Sequence, residues 1–242
     1  MKKYSILFVL VLLFYYIHAE PQKVSSPDGK IRIEFTLGSF DPGENQHSIS
    51  DAPYYRVFFQ GKPFIHSSRL GFELAGVPIF DRFFEVVKTV ANETRRSWKP
   101  VYGDKSEYPD NYNELTVTLQ ENIPPKRTLK LVFRAYNEGV AFRYIIPEQE
   151  AISSIVIPQE LTEFAFAPNT SVWEEHGHEG LYHKVAVSDI EPNCELPLTV
   201  KTENGIYGAI AEAGNSHYPR AYVEARSGRH GEKLNVIHIS LR

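Results

Sequence analysis

The chain of 242 residues balances 26 Lys and Arg against 30 Asp and Glu, a formal net charge of −4, and contains a single cysteine, Cys194. That mild acidity excludes the basic footprint a nucleic-acid partner needs, and one thiol excludes an internal disulfide framework. The length suits one substantial hydrophobic core.

In chain order, Lys2 and Lys3 precede an unbroken apolar run from Ile6 to Ile17, which ends at His18-Ala19. The run is shorter than the ~20 residues that span a bilayer core. Its charged flank and small-residue end predict a cleaved export signal over residues 1–19, with a buried N-terminal helix as the alternative. The expectation is a secreted or periplasmic protein, free of membrane after signal cleavage, with residues 20–242 as one domain.

The remainder alternates apolar and polar residues. Ile31, Ile33, Phe35 and Leu37 interleave with Arg32, Glu34 and Thr36; Leu115, Val117 and Leu119 repeat the pattern, as do Leu129, Leu131 and Phe133. Period two marks strands with one face on a core and one in water. Pro27-Asp28-Gly29, Asp41-Pro42-Gly43, Gln60-Gly61-Lys62 and Asn137-Glu138-Gly139 punctuate them as turns. Glu203-Asn204-Gly205 lies between Leu198–Lys201 and Ile206–Ile210 and predicts a tight hairpin. In Ile79–Ala91, Phe80, Phe83, Phe84, Val87 and Val90 fit a helical stripe, but β-branched and aromatic residues favour an extended segment. The pattern predicts an all-β chain, an antiparallel sandwich of two large sheets, with a barrel as the alternative.

Several side chains invite chemistry. Glu174, Glu175 and Glu179 cluster, although glycoside hydrolysis needs two carboxyls flanking a bond at a set separation, and acids this numerous adjoin often on solvated faces. No catalytic residue is assigned. His176 and His178 would share a side on a strand and with Glu179 could form a transition-metal site, sugar contacts, or an exposed loop. Trp98, Tyr102 and Trp173 are candidate stacking platforms for sugar rings, Trp173 the better placed and Trp98 the more suited to packing. Arg143, alternating with apolar neighbours, is expected to pair with a carboxylate. Glu212, His217 and Tyr218 are candidates for the same cleft, or for rim packing.

A set of motifs is similar to the N-terminal domain of family 97 glycoside hydrolases. These are Ser26-Pro27-Asp28-Gly29-Lys30, Tyr55-Arg56-Val57 with Gly61-Lys62 and Leu70-Gly71, Trp98 to Gly103, and Tyr112 to Leu115. Further on come Thr162-Glu163-Phe164, Trp173, Glu179 with Tyr182, Pro197-Leu198-Thr199, Glu212-Ala213 and Tyr218-Pro219. The most specific is Arg134 to Tyr144, which resembles the family's Asp-Gly-Val-Ala-Phe-Arg-Tyr block with Glu138 in place of the Asp. The resemblance implies a galactose-mutarotase-like β-supersandwich that in full-length members precedes a (β/α)8 barrel carrying the general acid and base. It implies that Glu179, or Glu175 if the alignment slips, is the domain's one ligand to a Ca2+ ion shared with the barrel; Trp173, His178, Glu212 and His217 remain the candidate substrate contacts. The expected partners are an α-linked oligosaccharide and such a barrel, in cis or in trans. Because the chain stops at Arg242 with no barrel, catalysis by this chain alone is not expected. The alternative is a free-standing exported carbohydrate-binding or interaction module.

Overall fold

The computed structural model describes residues 20–40, 49–152, 154–216, 218–228 and 231–241. The leader segment 1–19, the Asp41-Pro42-Gly43 turn and His217 lie outside them. The strands are β1 (Gln22–Ser25), β2 (Ile31–Phe40), β3 (Ile49–Phe59), β4 (Lys62–Arg69), β5 (Phe72–Glu73), β6 (Phe84–Trp98), β7 (Tyr108–Glu121), β8 (Thr128–Tyr136) and β9 (Val140–Ile145). There follow β10 (Gln159–Glu160), β11 (Glu163–Ala165), β12 (Ser171–Glu174), β13 (His183–Ala186), β14 (Leu198–Lys201), β15 (Tyr207–Ile210), β16 (Ala221–Ser227) and β17 (Lys233–Leu241). No helix among the described residues is long and apolar enough to cross a membrane.

All strand pairings are antiparallel, in the orders β1-β2-β3-β4, β6-β7-β8-β9, β11-β17-β16, β13-β12-β14-β15 and the short β10-β5. The first two sheets face one another, as alternation predicted. Ile31, Ile33 and Phe35 of β2 meet Leu129, Leu131 and Phe133 of β8 in one buried cluster, with the Phe35 and Phe133 rings 5.8 Å apart. On the outer side of β2, Glu34 pairs with Arg32 at 2.9 Å and Arg56 at 3.1 Å. Each buried Leu, Ile or Phe contributes roughly 1.5–3 kcal/mol against solvent exposure, so these rows hold the sandwich together. The Gln60-Gly61 turn places both residues in the left-handed region, at φ 50° and 77°, the twist a two-residue hairpin needs. The hairpin around Glu203-Asn204-Gly205 forms as expected, joining β14 to β15.

Two expectations need correction. The Ile79–Ala91 segment is extended from Phe84 as expected; β6, the edge strand of its sheet, is exposed on both faces after Phe84, while β7 beside it turns Leu115, Val117 and Leu119 into the core. Trp98 is accordingly 53% exposed and stacks on Tyr108 at 5.1 Å, outside the core. Arg143 is exposed and makes no ion pair with a described carboxylate; Arg134 pairs instead with Glu114 across β7 and β8 at 2.8 Å.

Candidate functional site

The sheet β13-β12-β14-β15 carries the candidate loop. Along β12, Val172 and Glu174 turn into the core while Ser171 and Trp173 turn out. The chain then leaves the strand, and residues 175–182 form the connection to β13. Gly177 and His178 both take left-handed backbone, at φ 85° and 70°. For a non-glycine residue that conformation costs about 1 kcal/mol or more and persists only where the surroundings impose it. It also breaks strand alternation, so His176 and His178 do not share a strand face.

Three buried carboxylates impose the loop. Glu174 accepts the Glu191 backbone N–H at 3.0 Å and lies 3.3 Å from His176 Nε2, while His176 Nδ1 is 3.2 Å from the Asn193 carbonyl. Glu175 accepts the Gly180 N–H at 2.7 Å, and its own carbonyl receives the Glu195 N–H at 2.9 Å. A Cβ on Gly180 would run into the His176 carbonyl, so only glycine closes this turn. Glu195 forms an ion pair with Arg220, and its Oε1 is 3.1 Å from His178 Nδ1. That same Nδ1 lies 2.8 Å from Arg220 Nη1, a geometry in which the imidazole lone pair accepts from the guanidinium. Beneath them, burial and then the carboxylates of Glu174 and Glu175 raise the Cys194 thiol above its ordinary range.

The loop presents Glu179 to solvent, and its side chain makes no hydrogen bond or ion pair to another described residue. Beside it Leu181 and Tyr182 are 78% and 63% exposed. A neighbouring segment is tied to this loop through Arg220. There Glu212 is half-buried, and its Oε2 accepts the Ala221 N–H at 3.0 Å and the Asn215 amide at 3.1 Å. Tyr218 donates to Glu160 Oε2 at 2.8 Å, and Thr162 donates to Glu160 Oε1 at 2.5 Å. Tyr144 reaches the same Thr162 hydroxyl at 2.7 Å and receives the Gly71 N–H at 3.1 Å. Burial raises the Glu160 carboxyl above its usual range against the pull of those hydroxyls, with nearby Glu212 adding to the rise.

The sequence candidates therefore divide. His178 and Glu179 share one constrained loop, Glu212 stands on the segment linked to it, and Trp173 belongs to the opposite face of β12. Glu174 and Glu175 are consumed by backbone N–H groups. Sequence reasoning missed Glu195, Arg220 and Glu160. A carboxylate set inside the apolar run Cys194-Glu195-Leu196-Pro197-Leu198 was the available signal for Glu195. Among the described residues no group of three or more His, Cys, Asp or Glu is arranged to hold a metal ion.

Comparison with known proteins now bears on this arrangement. Residues 24–239 match the family described as Glycosyl-hydrolase 97 N-terminal. A retaining alpha-galactosidase of Bacteroides thetaiotaomicron is 22% identical over 256 residues, covering 98% of this chain and 35% of the relative. A family 97 glycoside hydrolase of Pseudoalteromonas sp. strain K8, solved with panose, superposes at a TM-score of 0.78 with 28% identity, over 91% of this chain and 32% of that one. A beta-arabinopyranosidase shares the fold at a TM-score of 0.74 and 21% identity, over 90% and 35% of the two chains. This chain thus spans about a third of the length of the relatives it matches. It belongs to the glycosyl-hydrolase 97 N-terminal family.

Proposed function

We propose that this chain is an exported, non-catalytic domain of an α-glycosidase, forming one wall of a sugar pocket and lending one carboxylate, Glu179, to a Ca2+ ion. The observation that carries the reading is Glu179 itself, exposed on a loop whose backbone is fixed by Glu175 and Glu195 from beneath. An unpaired carboxylate on a pre-set backbone loses little on gaining a cation. Ca2+ takes roughly 6–8 oxygens, so the chain fits the role of one donor among several and not that of a complete site. The relatives' activities support the substrate class: one is an alpha-galactosidase and another was solved with panose.

In such a pocket a bound Ca2+ supplies positive charge against oxygens that become negative during bond cleavage. This chain's own groups would position. Glu175 and the Glu195–Arg220 pair hold the Glu179 backbone, and His178 stands beside them at the loop surface. Glu212 lies on the segment that ends at Arg220, so it would accompany the same wall. Trp173 would contribute a stacking surface on the other side of β12. The general acid and the base or nucleophile, which glycoside hydrolysis requires as a carboxyl pair, would come from a (β/α)8 barrel in cis or in trans.

The test is complementation. The purified chain is added to a family 97 barrel deprived of its own N-terminal domain, and α-glycosidase turnover is followed against Ca2+ concentration. Wild-type chain should restore calcium-dependent turnover and Glu179→Gln should raise the calcium requirement ~10-fold or more, the scale of losing a charged ligand contact. Equal rescue by both proteins, or turnover by the chain alone, sinks the assignment.

A further inference from the structure

The outward face of the sheet β13-β12-β14-β15 carries an exposed aromatic pair held on regular strands. Paired residues in an antiparallel sheet point to the same side, so the register settles which side chains share this face. One row runs Lys184, Trp173, Thr199 and Ala209; the next runs Ala186, Ser171, Lys201 and Tyr207. No residue of either row is buried, and the opposite face carries Val172, Leu198, Val200 and Ile210 in the core. Apart from Lys184 and Lys201, the side chains around the two rings are small, which leaves Trp173 and Tyr207 standing above the sheet. Their centroids are 6.1 Å apart and their planes 28° from parallel.

Charge separates this face further. In a chain with net charge −4, the two rows hold two lysines and no carboxylate. Lys184 Nζ lies 5.6 Å from the Trp173 ring and Lys201 Nζ lies 5.2 Å from the Tyr207 ring. Glu203, in the turn after β14, is engaged by Asn169 at 3.1 Å. Near-parallel exposed rings suit the C–H faces of pyranose rings once the flexible lysines over them swing aside, the Ser171 and Thr199 hydroxyls can bond to sugar hydroxyls, and an ammonium over each ring suits an anionic substituent.

We infer that this face is a second saccharide-binding surface, selective for an anionic glycan whose rings lie on Trp173 and Tyr207 and whose carboxylate or sulfate groups meet Lys184 and Lys201. The inference rests on the carbohydrate reading above for its ligand class and not on Glu179, which stands on the loop after β12 and not in either row. The full chain is titrated calorimetrically with a uronate oligosaccharide, a sulfated oligosaccharide and a neutral gluco-oligosaccharide of equal length. At least one anionic ligand should bind ~10-fold tighter than the neutral one, and high salt should erase the difference. Whichever arm binds, uronate or sulfate, names the anionic group.

Tyr207→Ala should weaken that binding ~10-fold. Lys184→Gln with Lys201→Gln should bring anionic and neutral ligands level. Glu179→Gln should leave the preference for the anionic ligand unchanged, so failure of the calcium role and failure of this surface read out separately. Tyr207 is 60% exposed, and its substitution should leave the melting temperature in place. No binding to any of the three, equal binding of neutral and anionic ligands, or anionic binding that survives Tyr207→Ala as simple ion exchange would each overturn the inference.

Discussion

Glu121 and Glu195 are both buried acids paired with an arginine, yet the two pairs serve different ends. Arg127 beside Glu121 is closed on every side. Its guanidinium meets Glu121 at 2.7 and 2.5 Å and the carbonyls of Pro78 and Ile79 at 2.8 and 3.1 Å, and both side chains are only 3% exposed. Glu195 is as deeply set, but Arg220 is 41% exposed and the pair extends outward to His178 on the loop that displays Glu179. A buried charge therefore does not mark a site by itself. What distinguishes the second is that its hydrogen bonds end on a surface loop with left-handed backbone and an unengaged carboxylate.

The largest effect should follow from opening the closed pair. Arg127→Met keeps most of the volume but strands Glu121 without a counter-charge, and denaturant unfolding should show a loss of about 3–5 kcal/mol. Below its melting point this variant should still complement a barrel and still bind saccharide. Loss of function without loss of stability would erase the distinction between the two pairs.

Glu195→Ala should cost less, roughly 1–3 kcal/mol, because Arg220 can turn into water. Its signature should be local: faster amide exchange at Gly180 and Glu179, and a weaker calcium response in complementation. A variant that unfolds globally with the loop still protected would place Glu195 with Glu121 as purely structural.

Glu160 allows a pH test. Its carboxyl is raised in the folded chain chiefly by burial, so its favourable contribution is fully present below the unfolded value near 4.5 and is lost as pH rises through the raised folded value. Glu160→Gln should remove that downward trend from the stability profile of the wild type between acid and neutral pH. Identical pH profiles for the two proteins would show that Thr162 and Tyr218 offset burial entirely. The smallest effect belongs to Glu179→Gln, which should change stability without calcium by no more than about 0.5 kcal/mol, as an exposed side chain off the core does. A larger loss in a thermal melt would mean that Glu179 helps hold the loop.

Much of the frame was legible because strand patterning is local. Ile33 and Phe35, or Leu129 and Leu131, announce their buried face by spacing alone, and Gln60-Gly61 announces its turn by the φ values it tolerates. The edge strand β6 marks the limit of that reasoning. Its extended form was legible, but the exposure of Val87 and Val90 was not, because burial depends on what lies over a strand. At the candidate site, Glu179 and His178 were singled out by their setting in the motif, and the structure puts them on one exposed loop. The expected sharing of a side by His176 and His178 failed because both stand in the loop after β12, where two left-handed residues remove any alternation.

The amino-acid order by itself determined an all-β chain with its hairpins and core rows, since alternation and turn chemistry act over two to five residues. Only the tertiary structure decided which acids are buried and which are displayed. Arg220 meets His178 across 42 residues of sequence and Tyr218 meets Glu160 across 58. A carboxylate's environment is set by such distant partners, so neighbouring Glu174, Glu175 and Glu179, alike in sequence, become two buried supports and one exposed carboxylate.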